Sequence, residues 1–123
     1  MFEVVNQGAK SHLPFSPAIV AGNFVFISGQ ASVDPDGGTI IQDTFEGEMR
    51  RSFANMKSIL EAANCGFKDV VNVRCYLNDE KDLAEFNRVY AEIFKEPYPT
   101  RSTIVGVLGT RLKFEVDCVA FKG

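Results

Sequence analysis

Arg101 is the residue in this sequence best placed to act on an anion. It follows Pro97-Tyr98-Pro99-Thr100, where two closely spaced prolines stop a preceding helix and force an extended approach, so its backbone is stiff. A guanidinium is a fixed fork of donors that matches a carboxylate bidentately. On the strand that starts there, alternation puts Arg101, Thr103, Val105 and Val107 on one face. After a break at Leu108-Gly109-Thr110 a second alternating run sets Leu112, Phe114, Val116, Cys118 and Ala120 against Lys113, Glu115, Asp117, Val119 and Phe121. So tight a connection predicts an antiparallel hairpin. With odd positions opposite odd positions, Arg101 and Thr103 then share a face with Glu115 and Asp117. An arginine beside an acid on one sheet surface is either a structural ion pair or a carboxylate site, and spacing leaves both open.

Other chemistries find little support. The chain has one histidine, His12, and no Gly-x-Ser-x-Gly pattern, which argues against a serine triad. Cys65, Cys75 and Cys118 fall at no metal-ligand spacing, so no metal site is expected, and Cys118 reads as core. No phosphate-cradling glycine loop or dinucleotide fingerprint occurs, so no cofactor is expected. The net charge of −3 and pI near 5.1 argue against a general nucleic-acid binder, and Arg50-Arg51 reads as a solvated helix face. An odd cysteine count, no N-terminal apolar segment and no apolar run of membrane-spanning length predict a cytoplasmic protein with no membrane partner.

The elements that must position these residues belong to one domain over residues 1–123, since 46% hydrophobic and 24% charged residues suit a globular chain of this length. Phe2–Val5 reads as a first strand. In the loop that follows, Pro14-Phe15-Ser16-Pro17 fixes the backbone on both sides of Phe15, whose local reading is a turn residue plugging the core. Ala18–Val20 and Phe24–Ser28 flank the turn signal Gly22-Asn23, and Gly29 sits where the strand ends, permitting close backbone approach. Asp43 with Glu46 resembles a capping box; the helix after it carries Phe45, Met49, Phe53, Met56, Leu60 and Ala63 and ends at Gly66. Val71, Val73, Cys75 and Leu77 alternate as a strand. A second helix opens near Asn78-Asp79-Glu80, with Leu83, Phe86, Val89, Tyr90, Ile93 and Phe94 as its apolar stripe. Asn87, on or beside that stripe, either ties down a loop or lines a site. The order is three strands, helix, strand, helix, two strands, with hairpins at both ends. It predicts an α+β fold, a six-stranded mixed sheet with two helices packed on one face. The other face, carrying Val105, Val107, Val119 and Phe121, lacks a cover in this chain, which predicts a closed homo-oligomer.

Three motifs together, Ser28-Gly29-Gln30 after a hairpin strand, Phe86-Asn87-x-x-Tyr90-x-x-x-Phe94, and Pro99-x-Arg101-Ser102, resemble the RidA or YjgF family, also called L-PSP endoribonuclease-like, over nearly the whole chain. The resemblance implies a chorismate-mutase-like fold and a homotrimer whose sheet faces form a central barrel, with clefts at subunit interfaces. It also implies cofactor-independent hydrolysis of enamines and imines of the 2-aminoacrylate type to 2-oxo acids and ammonia. Carried over, Arg101 would bind the substrate carboxylate and Glu115 would position or activate water. Phe15, Ser28, Gly29, Gln30, Asn87 and Thr103 would border or support the cleft. This chain has Leu13-Pro14-Phe15 where the family usually has Gly-Pro-Tyr, Thr103 where cysteine is frequent, and a last hairpin loop one residue shorter. Alternative readings are a non-catalytic trimer that binds small carboxylates, and a single-stranded RNA endoribonuclease or translation inhibitor.

Overall fold

Alternating segments become strands in six places: β1 (Glu3–Val5), β2 (Ala18–Ala21), β3 (Phe24–Ala31), β4 (Val70–Leu77), β5 (Thr100–Val105) and β6 (Phe114–Phe121). The two stretches with three- and four-residue apolar spacing become helices α1 (Phe45–Ala62) and α2 (Leu83–Ile93). A computed structural model of the chain describes residues 1–8 and 11–123. The strands form one sheet in the order β1-β2-β3-β6-β4-β5, antiparallel throughout except for the parallel pair β4 and β5. The β2–β3 hairpin turns at Gly22, whose φ of +59° favours glycine.

Packed on one face, Met49, Phe53, Met56, Ile59 and Leu60 of α1 and Phe86 and Val89 of α2 bury against Val73, Cys75, Leu77, Phe114, Val116 and Cys118. The aromatic rings meet at angles: Phe53 lies 5.6 Å from Phe114 and 5.8 Å from Phe94 between centroids, the edge-on or tilted approaches that the ring quadrupole favours. Glu48 is fully buried among them. Its carboxylate accepts from Lys113 N at 2.9 Å, Asp43 N at 3.2 Å and Lys113 Nζ at 3.3 Å, so the charge is paired where it is desolvated.

The last two strands do not form a hairpin. β5 runs parallel to β4, with Cys75 beside Thr103, and β6 returns on the other side of β4, with Cys75 beside Val116. Asn78, at the end of β4, organises the crossing: its Oδ1 accepts from Leu108 N at 2.9 Å, and its amide donates to the carbonyls of Gly109 and Leu112. Because β4 intervenes, odd positions of β5 share a face with even positions of β6. Arg101 and Thr103 lie on the helix side, whereas Glu115 and Asp117 lie on the open side, which overturns the shared face expected from sequence.

Other expectations shift for local reasons. β3 continues past Gly29 to Ala31, with a bulge between Ile27 and Gln30 that turns Gln30 into the buried face. A second irregularity, between Val70 and Asn72, leaves Val71 exposed. Thr44, not Asp43, caps α1, its side chain accepting from Gly47 N, and the left-handed residue after the helix is Asn64 at φ +62°, well before Gly66. A 3₁₀ turn, Glu80–Asp82, precedes α2. Phe15 does not plug the core: it is 51% exposed. The open face carries Phe24, Phe26 and Phe121, each at least 40% exposed, with Val119. Val105 instead belongs at the helix-side edge, opposite Leu77, and Val107 lies beyond β5. Among the described residues no helix is long and apolar enough to cross a membrane.

Candidate functional site

Arg101 is held where α2 meets the sheet edge. Its guanidinium carbon lies 4.8 Å from the ring centroids of both Phe86 and Tyr90, and its Nη1 donates to Asn87 Oδ1 at 2.9 Å. The helix thus supplies an aromatic floor and one oriented acceptor at positions 86, 87 and 90, the spacing that puts residues on one helix face. Arg101 remains exposed and keeps donors free for an anion. The hollow beside it is lined by Asn87, Tyr90, Ala91, Tyr98, Pro99 and Arg101. Thr103, two residues on and half-buried, faces the same side.

Glu115 belongs to a different neighbourhood. It lies opposite Tyr76 on β4 and Ala31 on β3, and a Cβ built at Gly29 would overlap its carboxylate. Burial, and secondarily the negative Asp117, raise the Glu115 carboxyl above its ordinary value of 4.5. Asp117 itself accepts from Arg74 Nε at 2.9 Å and from the Tyr76 hydroxyl at 2.8 Å. Ser28 donates to Ser16 O at 2.6 Å, tying the Phe15 loop to β3, and Gln30 Nε2 donates to Ser28 O at 3.0 Å. Phe15, Gly29 and Gln30 line a second hollow with Leu13 and Pro17.

The proposed site residues therefore fall into two groups. Arg101, Asn87 and Thr103 lie together where α2 meets the sheet edge, while Phe15, Ser28, Gly29, Gln30 and Glu115 belong to β3, the loop before β2 and the neighbouring part of β6. Arg101 and Glu115 sit on opposite faces of one sheet, with β4 between their strands. A single chain does not bring the guanidinium and this carboxyl together. Sequence reasoning placed Tyr90 in the core stripe and overlooked Tyr98 and Asn78. A tyrosine where phenylalanine would fill the stripe, and an aromatic residue between two prolines, were the available signals.

Other chemistry stays weak. Burial pushes the Cys75 and Cys118 thiols up to about 12, far from a reactive thiolate. Among the described residues, no three His, Cys, Asp or Glu side chains gather as metal ligands.

Gly29→Ala provides a test of the Gly29–Glu115 approach. The clash falls on the far end of a flexible side chain, so a small change in melting temperature is expected. The displaced carboxylate should cost about tenfold in activity, within the hundredfold that a 1 Å misplacement can reach. Assay and thermal melt of the same preparation check both.

The family model for endoribonuclease L-PSP matches residues 6–122. A RutC family protein of Pyrococcus horikoshii is 42% identical over 110 residues, covering 89% of this chain and 87% of that protein. The 2-iminobutanoate/2-iminopropanoate deaminase of Homo sapiens is 32% identical over 111 residues, covering 89% and 81%. Among solved structures, E. coli TdcF with bound serine aligns at a TM-score of 0.82 and 30% identity, covering 100% of this chain and 98% of that one.

Proposed function

The chain belongs to the endoribonuclease L-PSP family, the RidA or YjgF family, and on that premise we propose that it hydrolyses enamine and imine intermediates of 2-amino acids to 2-oxo acids and ammonia. The observation that carries this reading is the Arg101 guanidinium, fixed by Asn87 and two aromatic rings yet open to an anion. Support at the level of activity comes from relatives named as deaminases.

The two groups of residues complement each other across copies of the chain. We take the functional unit to be a homotrimer in which the exposed Phe24, Phe26 and Phe121 face is covered, and Arg101 of one copy meets the Glu115 and Phe15 pocket of the next. Arg101 then holds the substrate carboxylate. The enamine tautomerises to an imine, which once protonated on nitrogen is already electrophilic at C2. Glu115 as carboxylate takes a proton from water as its oxygen attacks C2, then returns that proton to nitrogen; as the C–N bond breaks, the carbonyl forms and the remaining hydroxyl proton passes to the departing ammonia. Water and imine become 2-oxo acid and ammonia, with no cofactor in the balance. Orientation and one proton carrier suffice.

The test is a coupled assay in which an excess of serine or threonine dehydratase generates the enamine and this protein is added. Faster 2-oxo acid release is expected. Because Glu115 must be ionised, the rate should fall on acidification with a midpoint above the ordinary 4.5, and Asp117→Asn, which removes a neighbouring negative charge, should move that midpoint to lower pH. The same shift makes the folded state bind this proton more tightly than the unfolded chain, so between the two values its contribution to stability falls as pH rises.

A second reading, a carboxylate-binding module without turnover, is favoured by Phe15 in place of a tyrosine and by the serine bound in the E. coli neighbour. Binding of 2-oxobutyrate with no acceleration in the assay would select it.

A further inference from the structure

Beside Gly29 the fold leaves an open hollow of about 230 Å³. Leu13, Phe15, Pro17, Ala31 and Val33 give it an apolar lining, and among the described residues no ionisable side chain reaches it. For comparison, an apolar cavity of about 150 Å³ admits a benzene ring. Leu13 is 68% and Phe15 51% exposed, so two large apolar side chains stand in water at the rim of this hollow.

The walls are held in place by the chain itself. Ser28 N donates to Pro17 O at 2.9 Å and Ser28 Oγ to Ser16 O at 2.6 Å, which fastens the loop of Phe15 to β3, while Phe15 N donates to Leu13 O at 2.8 Å. On the far side, the Val33–Ile40 bridge and the hydrogen bond from Asp34 N to Thr39 O at 2.8 Å close a tight turn, whose Gly38 completes the lining. A pre-formed apolar recess with few polar groups is the usual form of a small-molecule subsite. Gly29 relates this recess to the reaction. It belongs to the lining, and the Glu115 carboxylate rests against it, since a Cβ there would overlap Glu115 Oε2. Phe15 also has two neighbourhoods: it lines the hollow and, with Ser28 and Asp117, the open side of the sheet. The proton carrier and the hollow are thus adjacent across one stretch of backbone. With C2 of the substrate at Glu115 and its carboxylate toward Arg101 of the neighbouring copy, one carbon substituent remains to be placed, and the hollow is next to it.

We propose that this hollow is the side-chain subsite, that Leu13 and Phe15 determine specificity, and that the preferred substrates are 2-imino acids with uncharged apolar side chains of leucine to phenylalanine size. The inference rests on the deaminase reading above and specifies its substrate class. The single side-chain carbon of 2-aminoacrylate fills little of the hollow. A charged side chain would be desolvated against its apolar lining.

An L-amino-acid oxidase with catalase generates the imines of alanine, leucine and phenylalanine, and competition with semicarbazide, which traps the free imine, gives kcat/KM for each. The leucine and phenylalanine imines are expected to exceed the alanine imine by at least tenfold, since even one methylene in an apolar pocket discriminates by about 10–200-fold. Leu13→Gly and Phe15→Ala each remove a side chain that is at least half exposed, so both variants should fold, which a thermal melt checks. Each should lower the leucine-to-alanine ratio about tenfold. Equal rates on the three imines in the parent, or a preference that survives both substitutions, overturns this proposal and leaves the deaminase reading standing. A parent that hydrolyses none of the three overturns both.

Discussion

Replacing Arg101 by alanine is expected to lower kcat/KM for enamine hydrolysis by 10²- to 10³-fold while the protein stays folded. A bidentate carboxylate contact comprises two charge-assisted hydrogen bonds, each worth about 1.5–3 kcal/mol, and loss of about 3–4 kcal/mol corresponds to that range of rate. Stability should change little. The guanidinium is exposed, and its contacts with Phe86 and Tyr90 are worth roughly 0.5–1 kcal/mol each at such a site. Arg101→Lys separates charge from geometry: it keeps a cation but loses the fork and, with it, the fixed bond to Asn87. It should recover only a minor part of the lost activity. The coupled assay and a thermal melt on each variant check this, and an alanine variant as active as the parent would end the deaminase reading.

Glu48→Ala should have the opposite profile, a large loss of stability that begins far from any ligand. Three donors converge on this buried carboxylate, and two of them are backbone N–H groups. Removing one partner of a buried pair costs about 3–5 kcal/mol, against a total of roughly 5–15 kcal/mol for a domain of this size. A fall in melting temperature on the order of 10 °C follows. Glu48→Gln keeps the volume and one acceptor oxygen but turns an amide toward the donors, so an intermediate loss is expected. Urea denaturation of the three proteins measures the series. Since Lys113 N is one of the donors and Glu115 lies two residues on, the alanine variant should also lose activity in the surviving folded fraction.

The elements were legible because their signals are local. Alternation at Val73, Cys75 and Leu77, spacing in α1 from Met49 to Leu60, and Gly22-Asn23 between two apolar runs each depend only on near neighbours. The partner of β6 was not, because a short connection looks the same whether it closes a hairpin or steps across a strand. What decides it is Asn78, some thirty residues upstream of the loop it pins. The candidate site inherits this limit. Arg101 and Asn87 could be named from residue type and helix spacing, yet the face on which Arg101 lies is set by its register with Val73, a nonlocal quantity. The β3 bulge is a similar case: the register shift between Ile27 and Gln30 leaves no mark that alternation reveals.

The placement of β6 bears on how the molecule is made. It bridges β3 and β4, which otherwise do not touch, so before it arrives the sheet exists as two ribbons with open inner edges. On the ribosome, the nine residues from the end of β5 at Val105 to the start of β6 at Phe114 take about 0.5–2 s at roughly 5–20 residues per second. For that interval two apolar ribbons present unpaired backbone to whatever is nearby, including a neighbouring nascent chain. The last strand in the order thus acts as a seam, and its delivery separates a protected nascent chain from an adhesive one.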